Sequence, residues 1–239
     1  MPLGEVRATT GLSANVGMGP FARSLNDARN ASSNPDGSAA EANATDARAT
    51  LVTAAIGPGI APVVSARVGL GANSEAGASF LGRAVRADVR HSVRLAAHWD
   101  LSAGVGGSAV VGGHESADSD VDLGRLRGGG ADVPVMVGYE SDGGLYAAWL
   151  GLRAGWEQVG ADDVRSEVSE SRYPGPPVSL SARRLWAGGL FGFAVGFRHV
   201  HVAMELDVAY ANISGDLSST HIDLAGLTVC PASAVWWRF

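Results

Sequence analysis

The residues best placed to do chemistry are His199, His201, Glu205 and Asp207. They fall on alternate positions, so on an extended chain all four project from one face. Two imidazoles followed by two carboxylates could bind a metal ion or orient a general base. Three other features raise the same question. Gly104-Val105-Gly106-Gly107-Ser108-Ala109 fits a loose dinucleotide fingerprint, but that motif must follow a strand and open a helix, and this one lies inside a strand-like stretch. Asp118, Asp120 and Asp122 have the opening spacing of a calcium loop, yet Leu123 and Gly129 stand where such a loop needs Gly and Glu. What remains there is an acidic external loop that could hold a divalent ion weakly. Cys230 is the only cysteine; it allows no intrachain disulfide and reads as a small, half-buried residue.

These residues depend on the elements that carry them, and the elements are strands. Helical periodicity is almost absent, and apolar and polar residues alternate at period two along much of the chain. In 199–210, Val200, Val202, Met204, Leu206, Val208 and Tyr210 oppose His199, His201, Ala203, Glu205, Asp207 and Ala209. In 84–95, Val85, Ala87, Val89, Val93 and Leu95 oppose Arg86, Asp88, Arg90, Ser92 and Arg94. The alternation predicts ten strands at 5–17, 60–71, 74–81, 84–94, 96–112, 132–141, 144–159, 178–197, 199–213 and 222–239. Several exceed the soluble mean of about 5–6 residues and suit the ~9–11 that cross a bilayer at a tilt.

The connections alternate between long and tight. Residues 18–48 are expected to form a long, mobile loop, rich in Asn, Ala, Ser and Asp. Residues 113–131 and 160–177 read as two further long loops, and 214–221 as an intermediate one. Tight turns fall near Ala72-Asn73-Ser74, Asp142-Gly143 and Arg198. A short link at Gly82-Arg83 departs from the pattern. The aromatics sort with this scheme. Trp99, Tyr139, Tyr146, Phe197, Trp237 and Phe239 fall at the tight-turn ends of the apolar face, and Phe80, Trp156 and Tyr210 at the opposite ends. Such girdles mark the two headgroup levels of a membrane.

Composition sets limits. The chain has 239 residues, enough for one all-β barrel domain over 1–239, and 33 glycines, about twice the ~7% usual in proteins. Its net charge is −6 and all 18 basic residues are arginine, which argues against a nucleic-acid partner. The longest apolar run, Leu185 to Phe197, is interrupted by glycines and falls short of the ~20 residues of a membrane helix. No cofactor motif survives scrutiny. The first residues show no signal peptide; an exported protein needs one, so its prior removal is expected.

The last strand carries the strongest resemblance. Val235, Trp237 and the terminal Phe239 share one face, which resembles the C-terminal signature of Gram-negative outer-membrane β-barrel proteins of the small-barrel type. The resemblance covers nearly the whole chain as a pattern. It implies an antiparallel up-and-down transmembrane barrel of about ten strands, eight or twelve being the alternatives, with both termini in the periplasm and the long loops outside. It also implies recognition by the barrel-assembly machinery and contact with outer-membrane lipid and lipopolysaccharide. The external loops would be the place for a protein partner.

If the apolar face meets lipid, the other lines a lumen. There the register places Arg67, Arg86, Asp88, Arg90, Arg94, Glu140, Arg153, Glu157, Arg184, His199, His201, Glu205 and Asp207. Opposite charges could pair across a narrow interior and fill it, making a structural or interaction barrel. Alternatively Arg86, Arg90, Arg94 and Arg153 could line an anion-selective constriction of a narrow passive channel. A hydrolase is a third reading. In outer-membrane proteases the His and Asp residues lie at the external rim, whereas His199 and His201 fall at the periplasmic end here, and no serine is placed as a nucleophile.

Overall fold

The structure, a computed structural model, describes residues 1–33, 39–112, 123–162 and 179–239. Among them are ten strands: β1 Val6–Met18, β2 Gly59–Gly71, β3 Ser74–Leu81, β4 Ala84–Ala96, β5 Trp99–Val110, β6 Arg127–Glu140, β7 Tyr146–Ala161, β8 Leu180–Phe197, β9 Val200–Leu217 and β10 Thr220–Arg238. Each pairs antiparallel with its neighbours in sequence, and β10 returns to β1 to close the barrel. The closing register sets Arg7 beside Arg238 and Thr9 beside Trp236. Closure satisfies the edge groups that lipid cannot. The strands have 12 to 19 residues, except β3 with eight.

The outward face is a band of exposed large apolar residues. Leu150 is 64% exposed, Leu152 70%, and Phe191, Val202 and Met204 at least half. So much bare apolar surface is unstable in water and natural in hydrocarbon. At one end of the band Trp99 meets Tyr139 edge-on at 5.2 Å, and Tyr139 stacks with Tyr146 at 6.0 Å. Phe197, Trp237 and Phe239 join that end, while Phe80, Trp156 and Tyr210 face outward towards the other. At the first end the chain turns tightly. Ala72 and Asn73 both adopt positive φ, as a two-residue hairpin turn requires, and Arg198-His199 forms a similar turn.

The first connection differs from the mobile loop expected over 18–48. Met18 ends β1, and the chain then forms two helices, α1 Pro20–Ser33 and α2 Ala39–Ile56. Pro20 takes the first helical position, where its missing N–H costs nothing, and Gly57 follows α2 at φ 61°. Eight of the 18 residues of α2 are alanine, the best helix former. The pair folds into the barrel. Phe21, Leu51, Val52, Ala54, Ala55 and Ile56 are fully or almost fully buried against Ala182, Ala211, Ile213 and Ile222 of the wall. Glycines admit them: a Cβ on Gly215 would lie 2.6 Å from Leu51, and one on Gly17 2.9 Å from Phe21.

Three other boundaries move. Arg127–Ala131, expected within a loop, extend β6, because their outward and inward neighbours pair fully with β7. Leu123–Arg125 form a helical turn whose Leu123 is buried in the same apolar cluster. The stretch 214–221 is strand on both sides of a turn at Ser218. Residues 113–122 and 163–178, with Asp118, Asp120 and Asp122, lie outside the described residues.

Candidate functional site

The lumen has three levels. The α1–α2 hairpin fills the end away from the termini. Below it lies a belt of ion pairs, and below that a cavity opens beside the tight turns.

The belt begins where the hairpin is anchored. The Arg83 guanidinium donates to the carbonyl of Ala54, to that of Ala55 at 2.9 Å, and to Glu157 Oε1 at 2.8 Å. Asn15 Nδ2 donates to the Ile56 carbonyl at 3.0 Å. These are the last carbonyls of α2, which lack intrahelical donors and carry the negative end of the helix dipole. Arg184 lies 3.8 Å from the other Glu157 oxygen. One turn of the wall away, Arg86 binds Asp132 through Nε at 2.8 Å and Nη2 at 2.9 Å, a two-point carboxylate contact. Arg153 Nε donates to Asp132 Oδ2 at 3.0 Å. Arg86 also binds Asp88, which in turn accepts from Arg67, and Arg67 reaches Glu75 at 2.6 Å. Arg86, Asp88 and Asp132 are buried. Pairing is what makes charges tolerable there.

The cavity below holds about 400 Å³. The Arg7 guanidinium lies 4.2 Å over the Trp236 ring, with Arg238 at 5.5 Å. Trp149 Nε1 donates to Glu205 at 2.7 Å, and Gly192 leaves the room its indole occupies. Arg153 stands 5.1 Å over Trp186, whose indole lies where a Cβ on Gly155 would meet it at 2.6 Å.

The residues singled out from the sequence therefore separate into groups. Arg67, Arg86, Asp88 and Arg153 join one network, and Glu157 and Arg184 join the second with Arg83. Arg90 lies 3.4 Å from Asp88 without hydrogen-bond geometry. Glu205 and Asp207 face the lumen from β9, and Cys230 stands beside Asp207 in register. Arg94 does not line a constriction. It is 65% exposed at the rim, where a β4 irregularity turns it toward Asp100 at 2.5 Å. Glu140 also sits at the rim, bound to Arg238 at 2.9 Å. The His199–His201 pair is not formed either. His199 belongs to the exposed turn, its Nδ1 3.1 Å from the Arg238 carbonyl, whereas His201 is buried, its Nε2 2.7 Å from the Gly144 carbonyl. β9 begins at Val200, one residue after His199, so strand alternation does not extend to His199 and the two rings part. Among the described residues no three His, Cys, Asp or Glu converge on a metal position.

Two central residues were missing from the sequence reading. Asp132 has inward parity with Pro134 and Met136, but those apolar neighbours hide the alternation on that face. Arg83 lies in a link, where no strand parity applies.

A closed ten-strand antiparallel barrel, apolar outside and charged within, is the architecture of the Gram-negative outer-membrane β-barrels. No family model and no curated protein matches the sequence. Solved structures similar in fold include the outer membrane protease OmpT of Escherichia coli, at 10% identity over 98% of this chain and 97% of that one, with a TM-score of 0.45. Neisserial surface protein A is similar at 9% identity over 98% and 96%, with a TM-score of 0.35. Outer membrane phospholipase A of Escherichia coli gives 9% over 97% and 89%, with a TM-score of 0.29. Likenesses this remote do not bear on activity.

Proposed function

We propose that this protein is an integral outer-membrane barrel with an occluded lumen, acting as a structural or interaction barrel and not as an open pore or an enzyme. The carrying observation is the α1–α2 hairpin. Its apolar side chains pack against the inner wall, and its last carbonyls are held by Arg83 and Asn15. The ion-pair belt beneath it narrows the passage further. The β10 face with Val235, Trp237 and Phe239 suits an assembly signal, and the aromatic ends of the barrel suit the two headgroup levels of the outer membrane.

Conductance across a planar bilayer tests the reading. The purified, heat-modifiable barrel should insert without discrete openings. Reproducible ion-selective openings would replace the occluded barrel by a narrow channel.

A further inference from the structure

The cavity at the periplasmic end has a composition that closing the barrel does not require. Six arginines line it, Arg7, Arg67, Arg86, Arg90, Arg153 and Arg238, against three carboxylates, Asp100, Glu140 and Glu205. The three carboxylates are already engaged. Asp100 takes Arg94, Glu140 takes Arg238, and Glu205 accepts the Trp149 N–H. Asp88 and Asp132, which neutralise the belt, do not line the cavity. Its deep wall therefore presents cations whose counter-charges stand behind them.

Some of these cations lack full partners. Among the described residues Arg7 has no carboxylate within ion-pair distance; its guanidinium rests on Trp236. The Nε atoms of Arg7, Arg90 and Arg238 and the Trp236 Nε1 are buried with no hydrogen-bond acceptor. Unmatched buried donors are costly, and several around one cavity mark a place where an acceptor belongs. Leu81, Pro134, Met136, Leu190 and the indoles of Trp149 and Trp236 add apolar and aromatic wall, beside the hydroxyls of Thr9 and Ser79. A volume of about 400 Å³ is that of a small-molecule site.

We infer that this cavity is a closed-ended binding site, open to the periplasm, for a small organic oxyanion: a carboxylate or phosphate group on an aromatic or short apolar body. The anionic group is taken by Arg7 and Arg90, and the body lies against Trp149 and Trp236. The inference rests on the occluded-lumen reading only for its closed end. The phosphate could be borne by a soluble molecule or by a lipid headgroup. The opening beside the aqueous turns favours the soluble source.

Isothermal titration of the full-length barrel in nanodiscs tests this, with phenyl phosphate, benzoate and benzylammonium as probes. Saturable binding of phenyl phosphate or benzoate, with none of the cation, is expected. Arg7→Gln or Arg90→Gln should weaken it about tenfold, while Arg198→Gln, in a turn outside the cavity lining, should leave it unchanged. Equal response to anion and cation, or no saturable heat with any probe, would overturn the site, and both are read on the unaltered protein. Binding seen only when phosphatidic acid is added to the nanodisc would give the site to a lipid headgroup and overturn the soluble ligand. Conductance of the same sample is read separately. Anion binding together with openings would support the site and overturn the occluded lumen.

Discussion

At its external end the lumen is lined by Ala182, Ala211, Ile213 and Ile222 and holds two helices. A few residues along the same strands Arg184, Glu205 and Asp207 point into it. β9 shows the change within one strand. Its inward residues run His201, Ala203, Glu205, Asp207, Ala209, Ala211, Ile213, and the outward ones stay apolar from Val200 to Tyr210. The outward series answers to lipid, which is uniform. The inward series answers to whatever fills the barrel at that depth. Where a helix fills it, the wall is small and apolar. Where side chains fill it, the wall carries charges, because crossing arginines reach opposite carboxylates. Closed barrels can thus fill one interior by two kinds of packing, provided each is complete.

The largest separation between the halves should come from Asp132→Ala. It leaves Arg86 and Arg153 without their shared carboxylate. Arg86 keeps Asp88 but loses its two-point partner, and breaking a buried pair costs up to about 3–5 kcal/mol, to be seen as a lower urea midpoint for refolding into detergent. Conductance should stay absent, since the hairpin does not depend on that pair. Opening of the lumen in this variant would show that the belt, and not the hairpin, closes it. Leu51→Ala should come next, at about 2–5 kcal/mol for a fully buried leucine. Its signature is local: hydrogen exchange should speed up in α2 before the strands, and uniform acceleration would show that the two halves unfold as one. Arg94→Gln should do least. The pair with Asp100 is exposed, and such pairs contribute at most about 1 kcal/mol. A larger loss in the same refolding titration would show that the rim belongs energetically to the belt.

Much of the wall was legible before the structure. Nine of the ten strands begin within three residues of the expected positions, since two-residue alternation against lipid is a local signal. β6 is the exception, starting at Arg127 where Gly128, Gly129 and Gly130 weaken any alternation. The hairpin was not legible as a plug. The second half of α2 is buried both against α1 and against β7–β10, so it shows no one-sided apolar stripe, and the alanine and asparagine content of the pair imitates a solvated loop. Pro20 and Gly57 were the available signs of helix ends. Parity identified Arg86 and Arg153 as inward residues but not Asp132 as the acid between them, because alternation states a face and not a partner.

By itself, then, the sequence determined the strand periodicity, the outward apolar band with its aromatic ends, the pairing of first strand with last, and the inward side for most charges. These follow from the chain's local geometry and one uniform solvent. The tertiary structure alone decided what occupies the lumen: a hairpin folded inward, two ion-pair networks, and a cavity where arginines outnumber acids. Each joins residues far apart in the chain, such as Arg83 with Glu157 and Arg86 with Asp132, and such unions depend on closure.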